Sequence, residues 1–210
     1  MSTVIQVVSD VVCPWCYVGK RRLERALSEL DLPDVRIAWL PFELNPDLPA
    51  AGMARAAYRD RKFGPGRWAA MDARMAETGR EEGIAFAFDR MTRQPNTRLA
   101  HVLIAYAGEQ GRADAVVEAL FRAFFEDAKD VGDETVLLDL AEDAGLDREI
   151  ATAVLRSEER AAEILAFERQ AGSAGISGVP HFVVDGRWSL SGAQPPETWA
   201  AAFRAQRPEA

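Results

Sequence analysis

The feature that most constrains this chain is Cys13-Pro14-Trp15-Cys16, set where a run of β-branched residues gives way to an amphipathic helix. Upstream, Thr3 to Ser9 (TVIQVVS) is almost wholly apolar, the pattern of a strand buried on both faces. From Pro14 onward, Leu23, Leu27 and Leu30 recur at helical spacing while Lys20, Arg21, Glu24 and Arg25 take the other side. Pro33 is expected to end that helix. Val35, Ile37 and Trp39 then alternate with Arg36 and Ala38, which predicts a second strand ending near Pro41. A β–α–β opening of this kind should cross over right-handed to a parallel strand.

Helical patterns fill the middle, from about Pro49 to Gly175. Asn96 reads as the N-cap of a helix carrying Leu99, Val102, Leu103 and Tyr106 on one face. The next carries Val116, Val117, Leu120, Phe121 and Phe124, and further helices are expected over Asp133–Ala144, Asp147–Leu155 and Glu158–Ala171. Gly64-Pro65-Gly66 should separate two earlier helices, and Gly83 to Phe88 is expected to be a short extended piece. Strand character returns at Phe182–Val184 and Trp188–Leu190, around an Asp185-Gly186 turn. Pro195-Pro196-Glu197 then opens a helix that buries Trp199 and Phe203. The order describes an α/β domain made of 1–42 and 176–210, split by a helical insertion over 43–175.

A formal net charge of −8 argues against a general nucleic-acid or anionic-membrane binder, because phosphate surfaces repel such a chain. Arg55, Arg59, Arg61, Lys62 and Arg67 form a local basic cluster, read as a solvated helix face. No segment approaches the ~18 uninterrupted apolar residues of a membrane span. Met1 to Ser9 lacks a basic n-region and is interrupted by Asp10, so it does not read as a secretory signal, and a cytoplasmic location is expected.

The chain's two cysteines are separated by two residues, too small a loop for a useful structural staple. In a reducing compartment such a pair is redox-active or metal-binding. Zinc usually needs four ligands, and the two histidines, His101 and His181, are far apart in sequence, so no metal is expected. With Pro14 at the first helical position, Cys13 falls at the N-cap and Cys16 near the third helical residue. A sulfur at the N-cap can accept from first-turn amides and faces the positive end of the helix dipole, so Cys13 is expected to titrate below a free thiol. Cys13 is then the nucleophile and Cys16 the resolving thiol. Gly178-Val179-Pro180, just before the C-terminal strands, is a second candidate, since X-Pro bonds adopt the cis form at modest cost.

CPWC at a strand–helix junction, a large helical insertion, then GVPHFVVDG and SGAQPPE, resembles the DsbA-like thioredoxin-fold family, and within it the FrnE-type oxidoreductases. The resemblance spans nearly the whole chain. It implies a thioredoxin-like fold, with Pro180 a cis-proline facing Cys13 and Cys16, Pro14 and Trp15 shaping the site, and Val179 presenting backbone to a peptide substrate. Asn96 and Thr97 resemble the segment that family members pack near the active site. Many relatives have Pro-His between the cysteines. Trp15 carries no positive charge to stabilise a thiolate, so a less oxidising couple is expected.

The reading that follows is a cytoplasmic thiol–disulfide oxidoreductase or isomerase acting on protein or small-molecule disulfides. No tightly bound cofactor is expected; glutathione is a candidate redox partner, and the chain a monomer or homodimer. Two alternatives stand beside it. One is a glutathione-dependent isomerase or transferase for an aromatic or polyketide-like molecule, as in the related hydroxychromene-carboxylate isomerases and kappa-class glutathione transferases, which carry serine at the reactive position. The other is a non-catalytic redox-sensing or partner-binding module. His181 is a candidate proton carrier beside the sulfurs, against the commoner structural role of a histidine at a strand end. His101 reads as packed and hydrogen-bonded. Trp39, Trp68, Trp188 and Trp199 read as core or interface aromatics, and Phe86, Phe88 and Met91 as core or the wall of an apolar groove.

Overall fold

The computed structural model describes residues 3–206 apart from Asp31 and Pro33, so Pro33, expected to end the first helix, lies outside the described residues. β1 (Thr3–Ser9) leads through α1 (Pro14–Glu29) to β2 (Val35–Pro41), and β1 and β2 pair in parallel with Thr3 opposite Val35 and Ser9 opposite Pro41. On the other side of β1 lies β5 (His181–Val184), antiparallel, followed by β6 (Trp188–Ser191), giving a sheet of order β2-β1-β5-β6. The turn between β5 and β6 holds Asp185 and Gly186 at φ of 52° and 65°, and Arg187 N donates to Val184 O at 2.9 Å. α9 (Pro196–Gln206) packs back on α1 and buries Trp199 edge-on against Phe182, with ring centroids 4.9 Å apart.

β1 is an interior strand, which is why its sequence is so apolar. Ile5, Val7, Val8 and Ser9 are buried, whereas Gln6 is exposed. Burial on both faces, expected along the whole strand, holds only for its C-terminal part. That is the end that delivers the chain to Cys13.

Between β2 and β5 come α2 (Arg55–Phe63), α3 (Trp68–Glu81), α4 (Arg98–Glu109), α5 (Ala113–Phe125), α6 (Glu134–Asp143), α7 (Arg148–Leu155) and α8 (Glu158–Ser173). The last three start where capping chemistry predicts: Asp133 accepts from Thr135 N and Val136 N, Asp147 from Ile150 N, and Ser157 from Arg160 N. The N-cap of α4 is Thr97, one residue beyond the expected Asn96, although Asn96 Oδ1 still accepts from Arg98 N at 3.0 Å. The break at Gly64-Pro65-Gly66 is real, with both glycines at positive φ, 88° and 70°.

Residues 83–88 do not form the expected extended piece. They run as turn and coil, with Ile84 buried in the core and Ala87 N bonded to Phe125 O at 2.7 Å. The local ladder lies elsewhere, between β3 (Met53–Ala54) and β4 (Arg93–Gln94), paired antiparallel. Two-residue strands are too short to leave an alternation in sequence. This ladder closes the base of the α2–α3 excursion and brings Arg55 beside residues 92–94, with Arg55 N donating to Thr92 O at 2.9 Å.

α4, α5 and α8 pack against β2, so helices and sheet share one core. Its aromatic centre is Tyr17 of α1 stacked on Phe121 of α5, centroids 4.9 Å apart, with Phe125 beside them. Full burial of each such side chain contributes roughly 1.5–3 kcal/mol. Lys20 is 3% exposed and is held between α1 and α5 by Glu24, by Glu118 at 3.1 Å and by Asp114 at 3.6 Å. The Tyr17 hydroxyl donates to Glu126 at 2.6 Å, which further fastens α1 to the end of α5.

Candidate active site

Sheet register alone brings the two sequence motifs together. Val8 of β1 lies opposite His181 of β5, so the chain leaving β1 toward Cys13 and the chain entering β5 from Pro180 meet at the same sheet end. The Val179–Pro180 bond is cis. Gly19 of α1 permits the close approach: a Cβ there would lie 3.0 Å from Pro180 Cγ and 3.3 Å from Phe182 Cζ.

Cys13 is the N-cap of α1 in extended geometry, φ −92° and ψ 111°, and Pro14 opens the helix. The expected cap bond from first-turn amides to the sulfur is not formed. Instead the Cys13 thiol donates to Val179 O at 3.8 Å, a long contact set by the proximity of the cis-proline segment. Cys16 N donates to Cys13 O at 3.0 Å, so the second sulfur sits one turn inside the helix. Both cysteines are free thiols, 5% and 2% exposed. Burial, then the hydrogen bond with Cys13, pushes the Cys16 thiol well above its ordinary value, which keeps it protonated.

Asp10, fully buried, anchors the junction from beneath. Its backbone carbonyl accepts from Cys13 N at 3.0 Å, and its carboxylate accepts from Leu44 N at 2.7 Å. His101 is packed as expected, its Nε2 3.5 Å from Asp10 Oδ1, an ion-pair contact rather than an aligned hydrogen bond. Burial pulls the His101 imidazole down, but Asp10, Glu168 and Glu43 outweigh it and hold the group above the usual histidine range. In the sequence Asp10 reads only as an interruption of the N-terminal apolar run, because a single acid in a connecting segment carries no signal of a buried, anchoring role.

The remaining candidates divide. Trp15 is 47% exposed and lines a chamber of about 610 Å³ together with Cys13, Pro14 and Val179. His181 lines a smaller cleft with Gly178, Pro180 and Ser191 that includes neither cysteine, and its Nδ1 lies 2.8 Å from Ser191 Oγ. Partial burial lowers the His181 pKa. Asn96 is buried and donates to Leu48 O at 2.9 Å, which makes it a brace for the 44–52 segment rather than a neighbour bonded to either sulfur. Among the described residues no group of three His, Cys, Asp or Glu side chains could hold a metal ion.

The chamber also contains residues that sequence reading placed elsewhere. Arg55 and Arg59 are not on a solvated face. Their side chains are 7% and 15% exposed, and both end on Asp72 of α3, Arg55 at 2.6 Å. The reason is tertiary: α3 folds back across α2 and covers them. Phe88 and Met91 line the same chamber, while Phe86 stacks on Phe88 at 4.8 Å and meets Phe125 in the core. Of the four tryptophans read as core or interface, Trp39 and Trp199 are buried, and Trp68 and Trp188 half-buried.

No helix among the described residues is long and apolar enough to cross a membrane. Residues 4–204 match the DSBA-like thioredoxin domain family. The chain is 31% identical over 189 residues to the uncharacterised protein YwbO of Bacillus subtilis, covering 88% of each. It is 33% identical to the solved structure of a probable DsbA oxidoreductase, SCO1869, of Streptomyces coelicolor, with a TM-score of 0.89 over 99% of this chain and 92% of that one. The cytosolic disulfide reductase DsbM of Pseudomonas aeruginosa, solved with glutathione, shares the fold at 20% identity and a TM-score of 0.71, over 97% of this chain and 98% of that one. With a cis-proline set against a helix-capping cysteine on a β-α-β and β-β-α sheet, the chain belongs to the DSBA-like thioredoxin domain family.

Proposed function

We propose that this protein exchanges disulfides through Cys13 and Cys16, with net reduction or isomerisation as its direction. The observation that carries this reading is the Cys13 thiol at the start of α1, against the carbonyl of the cis Val179–Pro180 segment, with Cys16 buried one turn behind. Cys13, as thiolate, attacks one sulfur of a substrate disulfide; that S–S bond breaks and the far sulfur leaves as a thiolate that takes a proton from solvent. Cys16 gives up its proton and attacks Cys13 Sγ, and the first substrate sulfur leaves as the second thiolate. The dithiol is oxidised by two electrons and the substrate reduced by two. Val179 and Pro180 hold the substrate backbone alongside Cys13, and Pro14 and Trp15 form the adjoining wall.

A cytoplasmic setting, with glutathione restoring the dithiol, accords with this direction; trapping the thiols of intact cells with an alkylating agent and finding Cys13–Cys16 mostly oxidised would overturn it. The decisive assay is reduction of insulin disulfides. Cys13→Ser should abolish turnover, and Cys16→Ser should accumulate mixed disulfides at Cys13 that mass spectrometry identifies. Undiminished turnover in Cys13→Ser, or an absence of adducts in Cys16→Ser, refutes the mechanism.

A further inference from the structure

The chamber beside Cys13 carries more positive charge than its own acid can neutralise. Arg55, Arg59 and Arg74 line it with a single carboxylate, Asp72, in a chain whose net charge is −8. Arg55 and Arg59 share Asp72, with side chains 7% and 15% exposed, and a buried guanidinium without a full counter-charge is costly unless another anion meets it. Arg59 Nε is buried with no hydrogen-bond partner, a donor left open. Trp68, Phe88 and Phe63 lie 4.6–5.6 Å from these guanidiniums, which steadies the charge without cancelling it. Much of the remaining lining is apolar, including Met71, Met75, Met91 and Phe124. The volume, about 610 Å³, falls in the range of small-molecule sites.

The geometry points to a site for a small-molecule disulfide with an apolar body and a carboxylate head, the head meeting Arg59 and Arg74 and a sulfur reaching Cys13. Its sulfur end rests on the exchange reading; its acid end rests only on the charge and shape of the chamber. The chemistry is the same exchange: the ligand S–S bond breaks, both halves leave as thiols, and the Cys13–Cys16 disulfide forms as two electrons pass to the ligand. The apolar walls favour an aromatic or aliphatic acid over a strongly polar peptide.

Two measurements on the full chain test this. In calorimetric titration of the reduced protein, naphthoate should bind about ten-fold more tightly than its uncharged isostere naphthamide, and Arg59→Gln and Arg74→Gln should each remove most of that preference. Arg74 is exposed, so R74Q decides the matter where R59Q is unstable. Equal binding of acid and amide, or a preference that R74Q leaves intact, overturns the inference. In single-turnover oxidation, the rate ratio between the dianionic disulfide dithiobis(nitrobenzoate) and neutral dithiodipyridine should fall about ten-fold in R74Q. Reaction with both disulfides at a ratio the variants do not move overturns this inference and leaves the exchange reading standing. Acid preference with neither disulfide reacting overturns the exchange reading and, with it, the disulfide identity of the ligand.

Discussion

Cys13 and Cys16 are alike in chemistry and unlike in place. The spacing and the preceding strand made the pair legible in sequence, and the division into nucleophile and resolving thiol followed from helix position. The structure offers the proposed division a different physical basis. No first-turn amide caps the Cys13 sulfur; the asymmetry lies in Cys16, whose deeper burial favours the protonated thiol. At neutral pH, iodoacetamide should therefore modify Cys16 in Cys13→Ser several-fold more slowly, on the order of ten-fold, than Cys13 in Cys16→Ser, since the thiolate is the form that reacts. Equal rates would show that burial does not set the order. Arg55 and Arg59 mark the opposite limit. Four residues apart on a helix, they look like any basic face, and Asp72, seventeen residues beyond Arg55 and thirteen beyond Arg59, is recognisable as their partner only after α3 has folded over α2.

At the scale of elements, the starts of α6, α7 and α8 were readable because a cap is a local contact between a side chain and amides two or three residues away. The β3–β4 ladder was not, because its strands are two residues each and the residues between them span two helices. Glycines show the same contrast. Gly19 and Gly108 both lie inside helices, yet a Cβ at Gly19 would press on Pro180 Cγ at 3.0 Å, whereas one at Gly108 would meet nothing closer than 3.9 Å. Gly19→Val should destabilise the protein by about 1–3 kcal/mol through overpacking of α1 against β5. Gly108→Ala should instead stabilise it by up to ~1 kcal/mol through helix propensity. Urea unfolding of both variants checks the pair; opposite signs are expected, and a neutral Gly19→Val would mean that α1 is free to shift away from the cis-proline.

For the whole molecule, one charge cluster ties sheet and helices together beneath the Cys13 junction: Asp10, His101 and Glu43, all buried, with the half-buried Glu168 and Arg98. Because the folded state holds His101 above its unfolded pKa of ~6.5, its charge stabilises the fold fully below that value, and the contribution fades as pH rises through the folded pKa. The stability difference between wild type and His101→Gln should accordingly be largest near pH ~6 and shrink as the solution becomes alkaline; a difference that widens with pH would show that His101 is held neutral. The order of the four main-sheet strands and of the longer helices, the cysteine junction and the parallel β1–α1–β2 unit were determined by the sequence itself, since hydrophobic periodicity, caps and proline act over a few residues and survive as pattern. The meeting of Cys13 with Val179, the covering of Arg55 and Arg59, and the pairing of Asp10 with His101 were decided only by tertiary structure. Each depends on which distant groups exclude water from a given side chain, and that is settled by strand register and helix packing rather than by the neighbours along the chain.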